Sequence, residues 1–144
     1  MPTVSVWAVR AALAWLATAA LVGALLLARV PLGHPEWAFW IPAHAEMMLM
    51  GWMVQFAFGV AHWILPRLSE KGTGHPALVI AIFAALNCGV VTVILGATLL
   101  GRGLELFAVV AFAVQAAPRV RASGWGATGR GGDLVRLGKK VEQV

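Results

Sequence analysis

Four long apolar stretches, set off by short segments that hold most of the charges, limit what this chain can fold into. They run over residues 4–30, 43–65, 76–101 and 104–120. A helix needs about 20 apolar residues to cross a hydrocarbon core, and the first three stretches meet that length. The fourth is the shortest, and Pro118 near its end is expected to kink or stop it. The pattern predicts an all-α integral membrane four-helix bundle over residues 1–121, followed by a Gly-rich basic tail over 122–144.

Composition agrees. The chain is 60% hydrophobic and 12% charged, against roughly 45–50% and 25% for soluble domains. So little charge could not cover the core of a soluble protein of 144 residues. The pI near 10.8 suggests a nucleic-acid binder, but six of the 11 Lys and Arg follow Pro118 and the others flank apolar runs. Such flanking charge reflects membrane topology and is not a phosphate-tracking face. The single cysteine, Cys88, lies in an apolar run, so the chain can build neither a disulfide framework nor a CxxC metal site. The first stretch has small residues at Ala17-Thr18-Ala19 but is longer than a signal core requires, and it is read as a retained helix.

Orientation follows from the loops. With both termini and the Arg67–His75 loop in the cytoplasm, nine Lys and Arg lie inside and only Arg29 and Arg102 lie outside. That asymmetry is the positive-inside pattern of a multi-pass protein of the cytoplasmic (inner) membrane. Pro31–Pro42 becomes an outer loop, with Trp37 and Trp40 at the outer interface.

Polar side chains within a span are costly and each needs a reason. The second stretch carries most of them. On an ideal helix His44 and His62 are 18 residues apart, share a face and stand about 27 Å apart along the axis. They cannot ligate one metal ion from the same chain. Met48, Gly51, Gln55 and Gly59 lie between them on that face. The stripe has two readings. It is either a packing face, with Gly51 and Gly59 admitting a neighbouring helix and Gln55 bonding across, or a haem face with His44 as the axial ligand.

The run His44-Ala45-Glu46-Met47-Met48-Leu49-Met50-Gly51-Trp52, then Phe58-Gly59-Val60-Ala61 and Leu65-Pro66-Arg67, resembles the second helix of haem-copper oxidase subunit I. It is more similar still to small four-helix proteins of the subunit I-like type. Phe83-x3-Asn87-x-Gly89 in the third stretch also fits them, so the resemblance covers roughly residues 43–90. In the large oxidases and the related nitric oxide reductases, the histidine at the start of this helix ligates the low-spin haem. The resemblance therefore implies that His44 is the axial ligand of a haem b, with Met48, Gly51 and Gln55 lining it. It implies electron transfer or binding of a diatomic gas (NO or O2).

The departures matter equally. Glu46 stands where the small proteins often have a second histidine, and Ile82 where they often have another. The chain has no downstream His-x-His and no histidine pair for copper. A complete haem-copper site is therefore not expected in this chain, nor is independent oxygen-reducing activity. The candidates for a second axial ligand are His34, a methionine among Met47, Met48 and Met50, or His44 of a second chain across a homodimer axis. Arg29 or Arg102 could pair with propionates. The competing expectation is a cofactor-free accessory or assembly subunit of a respiratory complex. The expected partners are the lipid bilayer, a second copy or respiratory subunits, and no nucleic acid.

Among the remaining polar residues, His62 reads as an interfacial side chain, with His75 its only candidate partner for a second haem. Glu105 reads as a helix-start cap. Asn87, Cys88, Thr92 and Thr98 read as interhelical hydrogen-bonding or small-residue packing positions.

Overall fold

The computed structural model describes residues 3–30, 32, 37–65 and 76–125, and all regular structure among them is helical. α1 spans Thr3–Leu27. It ends where Arg29 takes a left-handed φ of 56° and Val30 N–H donates back to the Leu25 carbonyl at 3.0 Å, which satisfies a terminal acceptor. The second rod has three parts: α2 (Trp37–Glu46), a π-helical stretch (Met47–Val54) and α3 (Gln55–Ile64). α4 spans Pro76–Ile94 and opens on proline, which lacks an N–H that the first turn would leave unbonded anyway. α5 spans Thr98–Trp125. Only three residues join α4 to α5, and Gly96 there has φ 93°, which glycine adopts without steric cost.

The four rods include segments long and apolar enough to cross a membrane: Thr3–Leu27, Phe39–Ile64, Ala77–Ile94 and Thr98–Val120. Apolar side chains cover their outside; Leu27 is 87% and Leu99 92% exposed. Such a surface suits lipid and not water. The helix bounds differ from the expected ones in three places. The second rod begins six residues earlier than 43 and carries Pro42 inside it. The third ends at Ile94, seven residues before 101, because Gly96 turns the chain. The fourth is the longest helix, not the shortest, and runs through Pro118. Proline inside an apolar helix frees one carbonyl without stopping the helix when its surroundings hold the axis.

Side-chain pairings make neighbouring rods antiparallel. Ala8 of α1 meets Gln55 and Gly59, while Ala19 meets His44. Phe58 packs on Val79 and Phe83, while Ile94 packs with Ala43 and Met47. On α5, Glu105 crosses α4 at Gly89. The second rod thus packs against α1 and against the α4–α5 pair, and α1 also touches α4.

The π-helical stretch lets one rod serve two neighbours. Glu46, Met50, Val54 and Phe58, each four residues apart, all face the α4–α5 side. Phe58 stacks on Phe112 with ring centroids 4.0 Å apart. At 3.6 residues per turn a four-residue step overshoots by ~40°, so three steps would drift ~120° off the face. π-helical turns hold more residues and absorb that drift.

Candidate functional site

The His44 side chain is seated in α1. Its Nδ1 lies 2.9 Å from the Ala19 carbonyl, and a carbonyl can only accept, so the proton sits on Nδ1. The ring lies against Gly23, where a Cβ would come within 2.7 Å of His44 Cε1. Gly23 is therefore the floor of the seat. Nε2, with its lone pair, has no hydrogen-bond partner among the described residues. An Nδ1–H donated to a backbone carbonyl is the arrangement that fixes a histidine's tautomer and aims Nε2 at a metal.

The rest of the stripe is occupied. A Cβ at Gly51 would meet the Trp15 ring at 2.7 Å, and one at Gly59 would meet Ala8 and Val9 at 3.2 Å. Gln55 is fully buried and donates from Nε2 to the Ala8 carbonyl at 3.3 Å, while its Oε1 has no partner among the described residues. Met48 is half-buried against Ala19, Ala43 and Met47. Gly51, Gln55 and Gly59 thus pack against α1, and a flat macrocycle does not fit over them inside one chain. Among the described residues expected to hold a haem, His44 has the one imidazole, and its Nε2 has no hydrogen-bond partner among the described residues. Among the described residues, no group of three His, Cys, Asp or Glu side chains could hold a metal ion.

Two residues on from His44, on the opposite side of the rod, three charges meet. The Arg102 guanidinium donates from Nη2 to Glu46 Oε2 at 2.6 Å and from Nη1 to Glu46 Oε1 at 3.1 Å. Nη1 also reaches Glu105 Oε2 at 2.7 Å. Both carboxylates are buried, and the Arg102 side chain is half-exposed. This bidentate fork is the strong form of the contact. Arg102 is therefore engaged with Glu46 and Glu105, not a lone topology residue. Because α5 starts at Thr98, Glu105 lies two turns inside the helix and does not cap it.

Asn87 is an interhelical residue: Trp15 Nε1–H donates to its Oδ1 at 2.9 Å, and its Nδ2 bonds the Phe83 carbonyl at 2.7 Å. Thr92 bonds within its own helix, to the Cys88 carbonyl at 2.6 Å, and Cys88 faces outward. His62 is buried inside the bundle, within electrostatic reach of Arg119 on α5. His34, His75, the Pro66-Arg67 pair and the tail from residue 126 lie outside the described residues.

Sequence reading missed the Glu46–Arg102–Glu105 group, although it carried the signal. An acid inside an apolar span needs a partner, and the two arginines expected on that side were Arg29 and Arg102. No protein-family model, curated protein or solved structure matches the chain.

Proposed function

We propose that this chain is a membrane subunit that holds a b-type haem through His44, related to haem-copper oxidase subunit I and serving electron transfer or binding of NO or O2. In this reading both termini lie in the cytoplasm. The observation that carries it is the His44 seat: Ala19 and Gly23 fix the ring, and Nε2 has no partner among the described residues. A bound haem would supply one-electron exchange or an open coordination position. The chain's own part is to fix the imidazole tautomer and direction and to keep water away. Because α1 fills the Gly51–Gly59 face, the group would sit at the outward side of His44, between two copies of the chain.

A second reading is favoured by that same filled face. With Gly51, Gln55 and Gly59 all used to pack α1, the chain is a cofactor-free accessory subunit of a respiratory oxidase or nitric oxide reductase complex. Absorption spectra of the detergent-purified protein, oxidised and reduced, after expression with ample haem, separate the two. The first reading expects a Soret band that His44→Ala abolishes and that Gly23→Val, which crowds the ring, weakens. A colourless protein that co-purifies with an oxidase selects the second.

A further inference from the structure

A groove of about 600 Å³ opens between α1 and α4. Its walls are Trp7 and Ala11 on one side and Ile80 and Ala84 on the other, with Gln55 in its floor. Almost all of this lining is apolar. The groove begins beside Thr3, at the end of the bundle that carries the N-terminus, and Asn87 marks its far limit. There the hydrogen bond from Trp15 ties α1 to α4. The lining of the groove on α1 runs from Thr3 to Ala11, a rise of ~12 Å, a little under half of the ~30 Å hydrocarbon core. The groove therefore spans nearly one leaflet and stops.

Its rim carries a cation. The Arg10 guanidinium sits 5.5 Å from the centre of the Trp7 ring, and Trp7 is itself 64% exposed. Tryptophan rings settle at the membrane interface, and an arginine stem runs along apolar surface to bring its charge there. An apolar slot of nearly one leaflet's depth, with a positive charge beside the Trp7 on its wall, suits an acyl chain under an anionic headgroup. We infer that the groove holds one acyl chain of an anionic phospholipid from the leaflet nearest the N-terminus, with the phosphate paired to Arg10. A transmembrane helix, ~10–12 Å wide, does not enter a cleft whose walls are tied together by Trp15 and Asn87.

Native mass spectrometry of the detergent-purified full chain tests this, with dioleoylphosphatidylglycerol and dioleoylphosphatidylcholine as probes. One phosphatidylglycerol adduct is expected at low lipid, favoured about fivefold over phosphatidylcholine, as one basic residue near a surface gives. Ala84 is exposed on the groove wall, so Ala84→Trp fills the slot without entering the core, and it should abolish the adduct with helix content unchanged by circular dichroism. Arg10→Gln should keep binding and lose the preference. Equal binding of the two lipids overturns the assignment, as does an adduct that survives Ala84→Trp. Loss of a dimer in Ala84→Trp with lipid binding unaltered also overturns it, by showing that a second copy covers the groove. The readout is independent of any haem spectrum, so this inference and the haem reading fail separately.

Discussion

Substituting alanine for Gly101 tests how tightly α4 and α5 are pressed together. A Cβ there would overlap Val93 Cγ2 and would lie 2.8 Å from both the Gly89 carbonyl oxygen and the Val93 backbone nitrogen. Ordinary contact begins near 3.4 Å, so the backbones must part by 0.6 Å (3.4 − 2.8). Val93 could turn its side chain away, but the two backbone atoms cannot move without moving α4. Overpacking of this kind costs about 1–3 kcal/mol. Alanine also gains up to about 1 kcal/mol over glycine in any helix interior, which would blur a single measurement. Gly103, two residues on in the same helix, has nothing within 4 Å of its Cβ position, so Gly103→Ala reports the propensity gain alone. The difference between the two variants isolates the packing cost. Titration of the purified protein with denaturing detergent, followed by far-ultraviolet circular dichroism, should place Gly101→Ala about 1–3 kcal/mol below Gly103→Ala. Equal shifts for the two would refute the close backbone crossing at Gly89 and Gly101.

Two further substitutions probe the polar groups inside the bundle. Arg102→Met leaves Glu46 and Glu105 buried without their cation; because Arg102 is half-exposed, the expected loss is about 1–3 kcal/mol, below that of a fully buried pair. In a Glu46→Gln, Glu105→Gln background the same change should cost much less, and an undiminished cost in that double-mutant cycle would assign the effect to packing. Gln55→Met removes one long hydrogen bond, 3.3 Å to Ala8, together with the unpartnered Oε1. Those changes oppose each other, so stability measured by the same titration should stay within about 1 kcal/mol. A larger loss would mean that the bond to α1 is stronger than its length suggests.

The four apolar helices were legible because length and hydropathy alone set them. So was the interhelical role of Asn87, since an amide in an apolar helix needs a partner across a contact. Helix bounds were less legible where punctuation was ambiguous. Pro118 reads as a kink or a stop, yet α5 passes through it, and the third stretch reads as apolar to 101, yet Gly96 turns the chain. The stripe on the second rod was half legible. Regular spacing put His44, Gly51, Gln55 and Gly59 together, and all four do face α1. What spacing could not show is the π-helical stretch, which keeps Met50, Val54 and Phe58 on the α4–α5 side that Glu46 also faces. That geometry depends on contacts with two neighbours at once, and no local propensity encodes it.

The order in which the chain is made gives the Arg102 fork a further meaning. Glu46 belongs to the second rod, and its cation comes from the last one. Arg102 also pairs with Glu105, three residues on in its own helix, so α5 can enter an apolar phase with its opposite charges already joined. Glu46 has no such neighbour within α2. Until α5 arrives, Glu46 lacks the guanidinium that holds it in the finished bundle. A chain cut short before Thr98 would keep three apolar rods and leave Glu46 without the guanidinium that pairs with it.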